Sequence, residues 1–198
     1  MSLADPDRRL ARLFAACVLG EWAEVRAQRA AAGPGEPDRR WREAALMIHV
    51  FAGVPRAVES YGVLESAGGL GNPDPAELAE PAGAGGAELF ARIYAEGSDE
   101  VRALLTRHHP LFARYVLEHA YGRVLSRPGL GADRRELLAC AALAVLGQER
   151  QLASHARGAV RCGASPAEIA AVIEAVADLG TPEGMESARQ VVRRFARA

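Results

Sequence analysis

No lysine occurs in the 198 residues of this chain, and all 24 basic residues are arginine. Schiff-base catalysis requires a lysine amine, and the common phosphate-binding loop of nucleotide-binding proteins requires a lysine after its glycines. The sequence therefore excludes a Schiff-base mechanism and a lysine-bearing phosphate loop.

Cysteine is also scarce. The three cysteines, Cys17, Cys140 and Cys162, lie far apart, and none belongs to a Cys-x-x-Cys pair. Disulfide frameworks and zinc clusters require cysteines in pairs or short-spaced groups, so we expect neither. Free cysteines are typical of the reducing cytoplasm, and the absence of an apolar signal core in the first residues favours the same location.

Neither the net charge nor the apolar runs of the sequence indicate a nucleic acid or a membrane as partner. The formal net charge is −1, whereas nucleic-acid and membrane-surface proteins usually carry a basic excess. The longest apolar run, Leu137 to Gly147, is much shorter than the about 20 residues that span a bilayer. Apolar residues make up 49% and charged residues 25% of the chain, which is typical of a globular protein. We therefore expect a small-molecule ligand and no nucleic acid or membrane.

The apolar residues of the sequence recur mainly with helical periodicity. Apolar residues recur every three to four positions from Leu10 to Val18, Asp38 is a good N-cap, and Pro55 follows a break at Gly53. Further helices are predicted over residues 88–96, from 98 onward, and over 110–127, 133–146, 148–162, 165–179 and 182–197. In the segment 110–127, one face is predicted to carry Phe112, Tyr115, Val116, His119 and Val124. No segment alternates at period two, so the predicted fold class is all-α.

The chain matches itself without gaps at an offset of 127 residues. Gly53-Val54-Pro55 lies over Gly180-Thr181-Pro182, and the N-cap Asp38 lies over Ser165. Because glycine and proline mark the same helix breaks in both copies, we interpret them as two related helical modules about a pseudo-twofold axis. The predicted division is a degenerate first module over residues 1–65, a Gly-, Pro- and Ala-rich linker over 66–87, and a second module over 88–198.

Glu136 and His155 are the candidate catalytic residues. They lie 19 residues apart with a predicted helix break at Gly147 between them, so two antiparallel helices can bring the side chains together. A carboxylate beside an imidazole raises the pKa of the histidine and orients its ring, which gives a proton donor near neutral pH. Arg157 is the candidate substrate-binding residue, because a guanidinium binds an anion through paired hydrogen bonds. Spacing alone leaves open that His155 is a buried structural residue.

The first module does not carry this chemistry at the equivalent positions. At the offset of 127, Gln28 stands in place of His155 and Arg9 in place of Glu136. We therefore expect acid–base chemistry in the second module only.

The other four histidines are interpreted as structural. The adjacent His108 and His109 point in different directions on a helix, and His119 lies too far along it to join them in a metal site. His49 lies near the corner of the repeat and is interpreted as a hydrogen-bonded interface residue. The sequence thus predicts no metal ion.

A series of motifs runs in order through the second module. It includes His109-Pro110-Leu111-Phe112, Ser126-Arg127-Pro128-Gly129-Leu130, Arg135-Glu136-Leu137 and Ser154-His155-Ala156-Arg157-Gly158-Ala159. From roughly Pro110 to Arg197 the series closely resembles the carboxymuconolactone decarboxylase family, and residues 10–64 resemble it more weakly. The resemblance implies the all-α, alkylhydroperoxidase D-like fold and a homo-oligomer, either a trimer or a dimer of two-module chains.

The wider superfamily includes alkylhydroperoxidase D, whose site joins a glutamate, a Cys-x-His-Cys segment and a later histidine. Carried over, Glu136 matches the glutamate and His155 the later histidine. Gln148 and Gln151 stand at the two cysteine positions, and Arg150 stands at the intervening histidine. Because the thiol pair is missing, this kind of peroxidase activity is not expected.

Three functions stay open at this point. The first is a cofactor-free, decarboxylase-like lyase for a small anionic lactone or carboxylate, in which His155 delivers a proton, Glu136 orients it and Arg157 holds the anion. The second is a non-catalytic or repurposed oligomeric scaffold of the same fold, and the third is a residual peroxidase with a lone cysteine. Glu174 and Asp178 depart from the family pattern and would repel a dicarboxylate unless they face elsewhere.

Overall fold

The computed structural model describes residues 3–33, 35–36, 38–79 and 84–195. No strand occurs within these ranges, which confirms the all-α prediction. The α-helices are α1 (Asp5–Leu19), α2 (Trp22–Ala31), α3 (Arg39–Ser66), α4 (Ala84–Tyr94), α5 (Ser98–His108), α6 (Pro110–Arg114), α7 (Ala132–Val145), α8 (Glu149–Cys162), α9 (Pro166–Ala175) and α10 (Pro182–Phe195). Short 3₁₀ turns cover Pro75–Leu78 and Ala95–Gly97, and a π-helix (Tyr115–Leu125) continues α6.

Side-chain caps start two helices where the sequence predicts them. The side chain of Asp38 accepts a hydrogen bond from the backbone N–H of Arg40 at 2.8 Å, and Ser165 forms a reciprocal capping box with Glu168. Such caps satisfy backbone N–H groups that have no partner inside the helix. The predicted break before Pro55 is a kink within α3, at Gly53 (φ 81°, ψ 165°).

The helix starts repeat at one spacing. Helices α1, α2 and α3 begin at residues 5, 22 and 39, and α7, α8 and α9 begin at 132, 149 and 166, so each pair differs by 127 residues. Pro55, just after the kink in α3, and Pro182, at the start of α10, differ by the same number. These spacings agree with the offset in the sequence, while the pseudo-twofold repeat and its division at residues 65 and 88 stay predictions.

Helix α7 lies at the centre of the core. All its residues from 135 to 145 are buried, and it packs against α1 and α8. A helix buried on every side must be apolar all round or give each polar group a partner. Its two buried charged residues, Arg135 and Glu136, each have such a partner. No helix in the described ranges has the length and apolarity that crossing a bilayer requires.

Helix α4 begins at Ala84, within the predicted linker, and not at the predicted Glu88. The reason is close packing, because a Cβ added at Gly86 would lie 2.4 Å from Gly122 Cα of the π-helix. Contact with the π-helix therefore offsets the low helix propensity of glycine. The predicted linker residues 80–83 and the predicted helix end at Arg197 lie outside the described residues.

The helix that follows Pro110 buries a different face from the predicted one. Of the residues predicted to share a face, Val124 is buried, whereas Phe112, Tyr115 and His119 are exposed. The π-helix bonds residue i to i+5, so each turn holds more residues than an α-helical turn and the buried face rotates. Tyr121 is buried as a result.

A buried ion-pair cluster joins α3 to α7. The carboxylate of Glu43 accepts hydrogen bonds from Arg135 at 2.8 Å and from Arg127 at 3.0 Å. Glu43 is 2% and Arg135 1% exposed, and Arg135 also donates to the backbone carbonyls of Leu130 and Arg127. Removing one member of a buried ion pair leaves an uncompensated charge in the interior. This Glu43 cluster therefore fixes α7 relative to α3.

We expect Glu43→Gln to lower the free energy of unfolding by about 3–5 kcal/mol, because Arg135 and Arg127 lose their counter-charge. Urea unfolding followed by circular dichroism measures the change. Glu118→Gln is the matched control, since Glu118 pairs with Arg114 at 3.1 Å on the surface, where both side chains are 64% exposed, and exposed pairs contribute little. Equal losses in the two variants would contradict a stabilising role for the buried cluster.

Candidate active site

The structure brings Glu136 and His155 together. Glu136 lies on α7 and His155 on α8, and the two helices are joined by a turn at Gly147. His155 Nδ1 is 2.9 Å from Glu136 Oε2. His155 is 8% and Glu136 1% exposed. The pair is called the dyad below, and its catalytic role stays a prediction.

Gly158 lets α8 approach the carboxylate of the dyad. A Cβ added at Gly158 would lie 2.6 Å from Glu136 Oε2 and 2.8 Å from Cγ2 of Ile93. Both distances are much shorter than van der Waals contact, so a larger residue would displace the carboxylate or the isoleucine. The glycine therefore sets how closely α8 packs on α7 beside His155.

An aromatic side chain from α3 lies against the dyad. The ring centroids of Phe51 and His155 are 6.2 Å apart, with an interplanar angle of 62°. Phe51 in turn meets Phe14 of α1 edge-to-face at 5.7 Å. Such edge contacts restrict how a ring can turn. The N-terminal helices thus supply one wall of a site whose titratable groups lie on α7 and α8.

The second nitrogen of His155 is accessible. Within the described ranges, Nε2 makes no hydrogen bond, and the buried nitrogen and oxygen atoms without a partner are Arg39 Nε and Arg135 Nη1. His155 Nε2 therefore reaches the accessible surface. It is free to exchange a proton while Nδ1 stays bonded to Glu136.

Two opposing effects set the pKa of His155. Burial lowers it, but the negative charge of Glu136 and the hydrogen bond to its carboxylate together raise it by more, so the pKa lies above the ordinary 6.5. Because Nδ1–H donates to the carboxylate, the proton that titrates is the one on Nε2. The dyad is therefore arranged as a proton donor near neutral pH.

Two tyrosines lie near the dyad. The Tyr121 hydroxyl donates to the Tyr94 hydroxyl at 3.1 Å, and both rings pack on Phe90, with centroids 4.9 and 4.6 Å apart. Burial raises the pKa of both hydroxyls, and the charge of Glu136 raises it further. Both hydroxyls therefore stay protonated at neutral pH and are able to donate hydrogen bonds.

Arg157 does not face the dyad. Residues two apart on a helix point about 200° apart, and Arg157 is exposed, with Nη2 3.4 Å from Ser154 Oγ. It lines a cavity of about 310 Å³ whose other lining residues include Tyr94, Glu100 and Arg161. Tyr94 therefore borders both this cavity and the surroundings of the dyad.

The positions of the missing thiol pair hold exposed amides. Gln148 and Gln151 lie at the start of α8 and are exposed. Cys162, at the other end of α8, is half-buried, and burial, with the charge of Glu136, raises the pKa of its thiol to about 11. Nowhere in the described ranges do three or more histidine, cysteine, aspartate or glutamate side chains converge as a metal site.

An ion pair and a hydrogen bond from a neutral side chain occupy the equivalent positions in the N-terminal helices. Gln28, at the position equivalent to His155, donates to Glu24 at 2.9 Å. Arg12 also donates to Glu24, at 2.7 Å, and binds Asp178 through two hydrogen bonds of 2.6 and 3.0 Å. Arg9, at the position equivalent to Glu136, donates to a carboxylate at 2.7 Å. These side chains therefore form no carboxylate–imidazole pair like that of Glu136 and His155.

The two acidic residues that depart from the family pattern are paired with arginines. Asp178 binds Arg12, and Glu174 binds Arg189 through hydrogen bonds of 2.7 and 3.0 Å. These hydrogen bonds lower the pKa of both carboxyl groups. Their charges are thus compensated, which weakens the repulsion of an anionic substrate.

Sequence reasoning missed three contributors to this site. Phe51 is 104 residues from His155, and no local pattern marks a contact over that distance. Tyr94 lies in a helix that was predicted, but no partner was assigned to it. Gly158 stands in the quoted motif one turn after Ser154, and a small residue beside a candidate histidine is the signal that could have revealed it.

The comparison with protein families covers the helices that carry the dyad. Residues 110–194 match the model of the carboxymuconolactone decarboxylase family, and the matched segment contains Glu136, His155 and Gly158. No curated protein gives a significant match to the chain. The resemblance that the sequence analysis described from roughly Pro110 to Arg197 is confirmed over these residues. The segment from α6 to α10, residues 110–194, is thus the part of this chain that matches the carboxymuconolactone decarboxylase family.

Proposed function

We propose that this protein is a cofactor-free carbon–carbon lyase of the decarboxylase type, acting on a small anionic lactone or carboxylate. The dyad carries the proposal: His155 Nδ1 lies 2.9 Å from the carboxylate of Glu136, and Nε2 reaches the surface without a partner. This arrangement supplies a positioned proton, which the carbanion left by decarboxylation requires. The family of residues 110–194 supports the same class of reaction.

In the proposed reaction, the bond between the substrate carbon and its carboxylate breaks and carbon dioxide leaves. The electron pair of that bond passes into the lactone carbonyl and gives a dienolate. His155 Nε2–H donates its proton to the dienolate carbon, while Glu136 keeps Nδ1–H bonded and the ring in one orientation. Tyr94, which accepts a hydrogen bond from Tyr121, keeps its proton and donates a hydrogen bond from its hydroxyl to the developing oxyanion. Solvent then returns a proton to Nε2.

The apolar side chains beside the dyad favour the loss of the carboxylate. The Phe51 ring covers His155 at 6.2 Å, and Ile93 lies against Gly158, close to the Glu136 carboxylate. A localised carboxylate is poorly solvated in such surroundings, whereas the charge of a dienolate is spread over several atoms. Departure of carbon dioxide thus relieves part of the desolvation.

Arg157 keeps the proposed substrate-binding role. With Arg161 it lines the cavity of about 310 Å³ that Tyr94 also borders, and Glu96 and Glu100 line the same cavity and balance its charge. A guanidinium there can bind a carboxylate directly, through paired hydrogen bonds. We therefore assign Arg157 to the capture of the substrate and not to the chemical step.

A second candidate function is a non-catalytic or repurposed oligomeric scaffold. The observation that favours it is that Gln28 and Arg9, at the positions equivalent to His155 and Glu136, bind Glu24 and Glu36 and form no acid–base pair. A residual peroxidase is less well supported. It requires a thiolate, and the pKa of the Cys162 thiol is about 11.

The proposal includes a reducing cytoplasm as location and a homo-oligomer as assembly, either a trimer or a dimer of chains. All three cysteines are free, which is consistent with reducing surroundings. Exposed apolar side chains, among them Val54, Val58, Phe112 and Tyr115, offer surface that a second copy can cover.

We expect the purified chain to decarboxylate at least one member of a panel of small lactone carboxylates and β-keto acids that includes 4-carboxymuconolactone. His155→Gln should lower kcat about 10²–10⁴-fold, because the positioned proton donor is lost. A coupled assay for released carbon dioxide measures the rate. His108→Gln, an exposed residue at the end of α5, is the matched control and should keep full activity.

Two results of this assay would count against the proposal. If the native chain turns over no member of the panel, the decarboxylase assignment fails and the scaffold is favoured. If His155→Gln is as active as the native chain, the dyad has no part in the chemical step.

The pKa of His155 provides a test that needs no substrate. In Glu136→Gln the charge that raises the pKa is gone while burial remains, so we expect the midpoint to fall from above 6.5 to below it. NMR titration of the imidazole C–H resonances measures the midpoint, and Glu118→Gln, which removes an exposed carboxylate, should leave it unchanged. A midpoint that is the same in Glu136→Gln and in the native chain contradicts the coupling.

The direction of the pH dependence follows from the raised pKa. The stability that the dyad contributes is fully present below the ordinary pKa of 6.5 and is lost as the pH rises through the folded-state pKa of His155. The proton-donor activity should fall over the same range.

For Arg157→Gln we expect a higher KM at unchanged kcat, because the residue binds substrate outside the chemical step. Arg150→Gln removes the same charge from an exposed position on the same helix that does not line the cavity, and it should leave both constants unchanged. A lower kcat at unchanged KM in Arg157→Gln would place the residue in the chemical step instead.

A further inference from the structure

Two histidines that are 70 residues apart in the sequence meet outside the dyad. His49 lies on α3 and His119 on the π-helix, with their Nε2 atoms 2.7 Å apart. The ring centroids are 5.0 Å apart at an interplanar angle of 55°. His49 is half-buried and His119 is exposed, so the two nitrogen atoms meet where solvent can reach them.

The orientation of His49 is fixed by its other ring nitrogen. His49 Nδ1 lies 2.6 Å from the backbone carbonyl oxygen of Leu46, and a carbonyl only accepts hydrogen bonds, so Nδ1 carries the proton. In the neutral ring, Nε2 then presents its lone pair. A backbone carbonyl that holds Nδ1–H in this way is the usual support for a histidine that binds a metal ion through Nε2.

We propose that His49 and His119 form a two-histidine site for a divalent transition-metal ion with affinity for imidazole, such as Zn²⁺ or Cu²⁺. The ion takes the place of the proton that the two Nε2 atoms share. In the neutral pair His119 carries that proton on Nε2, and on binding the metal it becomes the tautomer protonated on Nδ1, so both ligands stay neutral. Water fills the remaining coordination positions.

The geometry requires only a small adjustment. A zinc ion about 2.0–2.1 Å from each nitrogen holds two ligand nitrogens about 3.3 Å apart at the tetrahedral angle. The Nε2 atoms must therefore separate by about 0.6 Å from their present 2.7 Å. A rotation of the exposed His119 side chain supplies this movement without a change in α3.

The site has two protein ligands and is open to solvent. In the part of the chain that the structure describes, no set of three histidine, cysteine or acidic side chains is placed to hold a metal ion. An open coordination sphere accepts water or an external anion, as the sites of catalytic metals do. A bound ion also ties the π-helix to α3 and should stabilise the fold, because it binds only the folded chain. This inference does not depend on the decarboxylase proposal.

Isothermal titration calorimetry of the full chain with ZnCl₂, and separately with CuCl₂, at pH 7.5 tests the site. We expect one ion per chain, with affinity at least tenfold lower in His49→Gln and in His119→Ala. His108→Gln and His109→Gln are matched controls and should bind like the native chain. Because His119 is exposed, its substitution leaves the fold intact, which circular dichroism verifies.

A thermal measurement separates this site from other metal binders. Zn²⁺ should raise the melting temperature of the native chain and of Cys162→Ser, but not that of His119→Ala. The inference is overturned if the native chain binds neither ion at pH 7.5, or if the variant that carries both His49→Gln and His119→Ala binds them with unchanged stoichiometry and affinity.

Discussion

The geometry of the candidate site depends on the carboxylate of Glu43. It binds Arg127 and the fully buried Arg135, and Arg135 precedes Glu136 on α7. Neighbouring residues on a helix point about 100° apart. Anchoring Arg135 toward α3 therefore fixes the rotation of α7 and directs Glu136 toward α8. Because a buried guanidinium cannot be left without its counter-charge, the fold and the dyad share one electrostatic constraint.

Several helices contribute side chains to the dyad and its surroundings. Helix α7 supplies the carboxylate and α8 the imidazole, while α3 covers the imidazole with Phe51. Gly158 allows the close approach that places these groups in one buried space. Inside that space the charge of Glu136 raises the pKa of His155 more than burial lowers it. This hydrogen-bonded pair involves no thiol, and in the segment that matches the decarboxylase family Gln148 and Gln151 stand where a redox pair would be.

Two sets of positions at the same sequence offset have different contacts. In the C-terminal helices they hold a buried imidazole and carboxylate, whereas in the N-terminal helices Gln28 donates to Glu24 and Arg9 donates to Glu36. Ion pairs that reach the surface stabilise little but tolerate substitution. Burying an ionisable pair costs desolvation free energy, which a function of the pair would explain. Family membership does not specify that function, because one fold carries many activities.

The sequence by itself determined the helices and the pair of residues to examine. Caps, prolines and glycines act within a few residues, so the starts at Asp38, Ser165 and Pro182 were readable from local chemistry. The break at Gly147 likewise predicted that Glu136 and His155 could meet. Only the tertiary structure decided which way the other side chains face. The π-helix turned Tyr121 inward, and α8 placed Arg157 on the opposite side from His155. Folding also brought Phe51 to His155 and His49 to His119, and these two contacts join residues 70 or more positions apart. Helical periodicity specifies a buried face without specifying what lies against it.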